Sequence, residues 1–191
     1  EFGDSGHSSY GEHSYVDSYE NWLELMPRLV EGITAHTKPD AHAYIFCDFD
    51  RFHQLKGWMV EAGWKVFRTP MLWFKPSAYR APWPQQGPQR KYECILFAVR
   101  GDKNCAVLGG DVLEFAPDEN IGHSAQKPIA LYRELLRRSA SPGDRVFDPC
   151  AGSGPIFPAA HDLKLVATGC EIDVNHFGKC VERITKLKEI L

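Results

Sequence analysis

Residues 147–157, FDPCAGSGPIF, set Gly152 and Gly154 between a short apolar run and a segment of helical character. A chain that turns so tightly from strand to helix needs residues that tolerate positive φ, and the N–H groups of such a turn can face a ligand. The run LKLVATGCEI (163–172) then reads as the next strand. Strand, glycine turn, helix and strand in succession specify part of a parallel α/β sheet. The turn comes late in the 191 residues, whereas turns of this kind usually open their domain. Either the order of elements is permuted or part of the domain lies elsewhere.

The rest of the chain alternates in the same way. Asp17 and Glu20 have capping-box spacing before a helical pattern of Trp22, Leu23, Leu25, Met26, Leu29, Val30 and Ile33, which Pro27 is expected to kink or interrupt. AHAYIFCDF (41–49) reads as a buried strand, followed by Asp50 as N-cap of a helix carrying Phe52, Leu55 and Met59 up to Gly63. WKVFRTPMLWF (64–74) and YECILFAV (92–99) are two further strands, suited to antiparallel pairing around the proline-rich loop 76–91. CAVLGGDVLEF (105–115) suggests a short hairpin. Pro128 is placed at the first position of a helix with Leu131, Tyr132, Leu135 and Leu136 on one face, ended by Ser141-Pro-Gly. DRVFD is a strand, and residues 174–190 form an amphipathic helix. The pattern predicts one α/β domain with helices on both faces of its sheet, preceded by a polar loop over residues 1–16.

Bulk properties narrow the partners. With 43% hydrophobic residues the chain can bury one stable core. A formal charge of -3 means that a nucleic-acid partner requires basic residues gathered locally. The six cysteines include no Cys-x-x-Cys pair, as expected for a reducing, cytoplasmic compartment, and the eight histidines form no zinc-spaced set, so no metal is predicted. No membrane-length apolar run or signal pattern occurs.

Three ligands suit a glycine turn between strand and helix. A triphosphate loop requires Gly-x-x-x-x-Gly-Lys-Ser/Thr, which is absent, and a dinucleotide turn requires a third glycine where Phe157 stands. S-adenosylmethionine is the third. Asp148, at the end of the strand, would repel phosphate and attract a cationic group such as a sulfonium or an α-ammonium. Glu171, at the end of the next strand, suits the two hydroxyls of a ribose. Each feature alone has an ordinary structural explanation, a solvated strand end or a helix-capping glycine. Their combination favours an adenosyl ligand of positive charge.

HSAQKPIALYRELLRRSASPGDRVFDPCAGSG followed by ATGCEID resembles the C-terminal half of the amino-directed DNA methyltransferases, which act on N6 of adenine or N4 of cytosine. LWFKP (72–76) and YECILFAVRG are similar to strands of that family, so the resemblance covers most of residues 41–185. It departs from the family at Ser124-Ala125, where Pro-Thr is usual, and at Cys150, where Phe is usual. It implies a Rossmann-like, permuted methyltransferase sheet, which accounts for the late turn, and an enzyme of prokaryotic or phage origin of the restriction-modification kind. Cofactor contacts are implied at His123, Ser124, Gln126, Lys127, Pro149, Cys150, Ser153 and Ile172, beside Asp148, Gly152, Gly154 and Glu171. The implied partner is double-stranded DNA, with adenine favoured over cytosine. Tyr79, Arg80, Arg90 and Lys91, with Trp83, are the candidates to meet DNA from the loop 76–91. A second subunit is the other source of DNA contacts, as in a homodimer.

Methylating an exocyclic amino group requires a flipped base held by the family's Asp/Asn/Ser-Pro-Pro-Tyr/Phe segment. That tetrapeptide does not occur in the sequence, and Asp48 in CDFD lacks the prolines. The expectation is therefore that the catalytic segment and its strand precede Glu1, and that this stretch alone is inactive. A non-catalytic S-adenosylmethionine or nucleic-acid binding module is the competing reading. An NAD-dependent oxidoreductase shares only the glycine turn and is disfavoured by Asp148.

Overall fold

The computed structural model describes residues 18–76, 85–119 and 125–189. Helix α1 (Tyr19–His36) is capped by Ser18, whose hydroxyl accepts the Asn21 N–H at 3.2 Å. Asp17, expected in that role, lies outside the described residues, as does the polar loop 1–16. Pro27 does not interrupt the helix. The hydrogen bond it forfeits is outweighed by an apolar stripe, Trp22, Met26, Val30 and Ile33, that is buried along the whole length.

Strand β1 (Ala41–Cys47) leads through a 3-10 turn (Phe49–Arg51) into α2 (Phe52–Glu61). Asp50 sits inside that turn and does not cap the helix, which starts after Arg51 without a side-chain cap. Gly63, at φ 88°, closes α2 as expected. The single strand expected over 64–74 is two: β2 (Lys65–Val66) and β3 (Met71–Phe74). Pro70, which cannot donate to a ladder, separates them. Both pair antiparallel with β4 (Tyr92–Arg100), as does β1, with Cys47 opposite Cys94 and Ala41 opposite Arg100.

Residues 105–115 form no hairpin. Only β5 (Val112–Glu114) is a strand there, and it runs parallel to β3. The preceding segment is held instead by Arg138, whose Nη1 donates to the Gly110 carbonyl at 2.6 Å and whose own carbonyl accepts the Ala106 N–H at 2.7 Å. Helix α3 (Ile129–Ser139) begins one residue later than expected, with Pro128 as its N-cap. Then follow β6 (Arg145–Asp148), α4 (Ile156–Asp162), β7 (Val166–Gly169) and α5 (Val174–Glu189).

The strands form two ladders among the described residues. One has the order β1-β4-β3-β5 with β2 also on β4; the other is the parallel pair β6-β7. Alternation along β4 fills two cores. Leu96 and Ala98 face α1 and α2 in a cluster with Phe52, Leu55, Met59 and Trp64, while Ile95 packs with Trp73, Leu131 and Leu135 under α3. Helices therefore lie on both faces, as predicted.

Helix α3 spans both ladders. At its end, the Ser139 hydroxyl lies 2.7 Å from both His42 Nδ1 and Tyr44 Oη of β1; at its start, Tyr132 stacks on Phe46, with ring centroids 6.2 Å apart. Tyr132 also reaches Asp148, and β6 begins shortly after α3 ends. Both β1 and β6 thus run opposite to α3, parallel to one another, yet no ladder joins them. Among the described residues no helix is long and apolar enough to cross a membrane, and no cluster of metal-ligating side chains occurs.

Leu96 is fully buried in the α1–α2 core. Leu96→Ala is expected to cost about 2–5 kcal/mol of stability, read as a lowered urea midpoint with an unchanged slope.

Candidate functional site

Asp148 ends β6 and the chain turns back on itself through Gly152 (φ 56°) and Gly154 (φ 74°) before α4. The turn is closed by the Gly154 N–H donating to the Ala151 carbonyl at 2.8 Å. It is stitched to β7 as well: the Cys170 N–H donates to the Asp148 carbonyl at 3.0 Å, and the Ala151 N–H to the Cys170 carbonyl at 2.9 Å. Helix α5 presses on it from behind, where Cys180 Sγ lies 3.0 Å from the Gly152 carbonyl. A Cβ on Gly154 would meet Cys180 Sγ and Phe157 Cδ2, each at 2.9 Å. Glycine is required there by conformation and by space.

Two carboxylates flank the turn. Asp148 accepts the Cys150 N–H on Oδ1 at 3.0 Å and the Tyr132 hydroxyl on Oδ2 at 2.9 Å. Glu171, just beyond β7, accepts the Gly152 N–H at 2.6 Å and the Asp173 N–H at 2.9 Å. Neither forms an ion pair among the described residues. Burial raises the pKa of Asp148 above the ordinary carboxylate range and the charge of Glu171 adds to this, against the two donors that lower it. The same surroundings hold the Cys150 thiol protonated: burial, then the charges of Asp148 and Glu171, push it up to about 11.

These observations describe what the site lacks. Among the described residues it holds two carboxylates with no cation, a Ser153 hydroxyl buried without a partner, and an apolar side chain, Ile172, 82% exposed beside Glu171. A ligand with positive charge, a hydroxyl-bearing sugar and a flat apolar ring meets all three, and an adenosyl sulfonium compound has those parts.

The other expected residues divide. Pro149 and Cys150 lie in the turn. Gln126 and Lys127 face protein: Gln126 Nε2 donates to the Glu119 carbonyl at 3.1 Å, and Lys127 Nζ is 3.1 Å from Glu93 Oε2. His123, Ser124, Tyr79, Arg80 and Trp83 lie outside the described residues. Arg90 pairs with Asp48 at 3.2 Å, and Lys91 Nζ donates to the Pro76 carbonyl at 2.9 Å, so both loop cations have partners within the chain. Asp48, the alternative catalytic residue, spends its charge on Arg90.

Sequence reasoning missed the group that holds Asp148. Tyr132 was legible only as one member of a helical stripe; its hydroxyl among leucines was the available signal. It also missed the Lys75–Glu93–Lys127 set, in which both lysines contact Glu93.

The ladders, the helices on both faces and the turn define a Rossmann-like domain of the S-adenosylmethionine-dependent methyltransferase fold. Its overlap with the cytosine-N4-specific PvuII DNA methyltransferase has a TM-score of 0.74 at 16% identity, covering 91% of this chain and 74% of that one. With the M1.HpyAVI–SAM complex the TM-score is 0.71 at 22% identity, covering 82% of each chain. Residues 113–179 match the family model for DNA methylase of the N6/N4 type. The chain is 28% identical over 97 residues to the type II methyltransferase M.HpaI of Haemophilus parainfluenzae, a match spanning 51% of this chain and 31% of that protein.

Gly154→Ala should lose at least about 1–2 kcal/mol from the left-handed backbone alone, with the contact on Cys180 added. Chemical denaturation of the ligand-free chain checks this.

Proposed function

We propose that this chain is the cofactor-binding part of a DNA methyltransferase that moves the methyl group of S-adenosylmethionine to an exocyclic amino group, of adenine in preference to cytosine, in double-stranded DNA. The observation that carries the reading is the pair Asp148 and Glu171, two carboxylates around a glycine turn with no cation between them among the described residues. S-adenosylmethionine, when bound, supplies a methyl group already activated by its sulfonium. Asp148 serves its positive end, Glu171 its ribose, Ile172 its ring, and Ser153 acquires a partner. His123 and Ser124 belong to the same reading through the family motif, and the loop 76–91 remains the candidate DNA contact.

A further strand, carrying the Asp/Asn/Ser-Pro-Pro-Tyr/Phe segment, would lie between β1 and β6. Those strands run parallel beneath α3 and share no hydrogen bonds, which supports room for such a strand. Without it the target amino group has no acceptor for its proton and no stacking partner. Ground-state binding of the methyl donor does not replace those transition-state contacts. The 191 residues alone are therefore expected to bind the cofactor and to be inert.

Two measurements test this. Asp148→Ala should weaken S-adenosylmethionine binding by about 1.5–3 kcal/mol in calorimetry, and unchanged affinity in a folded variant would remove Asp148 from the site. Incubation of the chain with tritiated cofactor and mixed-sequence duplex should give no label in DNA. Label that disappears on Asp48→Ala would instead identify a complete enzyme with a different catalytic carboxylate.

A further inference from the structure

Asp148 is held by two donors from different elements. The Cys150 N–H takes Oδ1 from within the turn, and the Tyr132 hydroxyl takes Oδ2 from α3. One donor on each oxygen fixes the plane of the carboxylate and leaves its remaining lone pairs to a ligand. The Tyr132 ring is itself fixed, nearly parallel to Phe46 with an interplanar angle of 22°. Phe46 carries the Lys127 ammonium over its other contacts, 5.1 Å from the ring centroid, and Lys127 is anchored on Glu93. The position of the phenol oxygen is thus set from β1 and β4, across the break between the two ladders.

We propose that Tyr132 is a positioning residue of the cofactor site, holding the Asp148 carboxylate in the orientation that receives the positively charged end of the ligand. This rests on the reading of Asp148 given above and deepens it. A tyrosine suits the role because it stays a donor: burial and the neighbouring Asp148 charge raise its pKa well above the ordinary phenol range. Its hydrogen bond also lowers the pKa of Asp148 against the effect of burial. Among the described residues, the groups that face this carboxylate are Tyr132 on α3, Cys150 in the turn, Glu171 after β7 and Cys180 on α5. Of these only the Tyr132 hydroxyl and the Cys150 N–H lower its pKa against burial. Losing the hydroxyl lets that pKa rise further, so the fraction ionised, and with it affinity for a cation, falls off at a higher pH.

The experiment is calorimetric titration of the chain with S-adenosylmethionine over a range of pH, comparing wild type, Tyr132→Phe and Asp148→Ala. Tyr132→Phe keeps the ring stack and removes only the hydroxyl. Its expected outcome is a native melting profile, a dissociation constant raised about tenfold at neutral pH, the size of a lost hydrogen bond to a charged group, and an acid limb of binding moved to higher pH. Wild-type affinity with an unmoved acid limb, alongside weakened Asp148→Ala, overturns the proposal and leaves the cofactor reading standing. Wild-type affinity in Asp148→Ala overturns both. If Tyr132→Phe does not fold, the unsubstituted chain is labelled with 3-fluorotyrosine, a stronger donor, and the Asp148 carboxyl is titrated by carbon NMR. Its midpoint must then move down, and an unmoved midpoint overturns the proposal.

Discussion

The hydrogen bond from Tyr132 to Asp148 joins two halves of the molecule that share no strand ladder. A carboxylate taken from water loses hydration, and only fixed donors or a cation offset that loss. Among the described residues Asp148 has two donors and no cation, so the orientation of its carboxyl group is settled by the protein. Preorganisation of this kind lowers what a ligand must spend on ordering the protein when it arrives.

Glu93 shows the opposite outcome at similar enclosure. Burial by itself would raise its pKa, but Lys127 and Lys75 outweigh that and hold it below the ordinary range. Lys75 also lies 4.4 Å above the Trp73 ring, and Lys127 lies over Phe46. Two cations lying over aromatic rings hold one anion, while among the described residues two carboxylates without a cation stand at the turn. The charge that is satisfied anchors the scaffold, and the carboxylates that are not are the ones the proposed cofactor site is built on.

Much of this was legible in the sequence because it depends on local pattern. The glycine turn, the strand-end carboxylates and the stripes of α1 and α3 follow from spacing, and the antiparallel pairing of β3 with β4 follows from two apolar runs around a proline-rich loop. What failed was decided by packing. Pro27 breaks a helix only when nothing compensates, and the buried face of α1 compensates. The segment 105–115 looked like a hairpin because its apolar residues flank Gly109-Gly110, but Arg138, distant in sequence, holds the first half and β3 pairs with the second. At the site, the carboxylates were readable and their supporting donor was not, since a tyrosine in a helical stripe gives no sign of where its hydroxyl ends.

The order of elements also governs when each part of the molecule can form during synthesis. Every buried residue of the α1–α2 core, from Trp22 to Ala98, precedes α3 and the glycine turn. Domains emerge and collapse from their N-terminal side as translation proceeds. The α1–α2 face of the first ladder can therefore consolidate on the ribosome before α3, the glycine turn or Glu171 has been made, while its other face awaits Leu131 and Leu135 of α3. The turn with Asp148 and Glu171 is therefore completed only at the last stage, when β6 and β7 dock through α3.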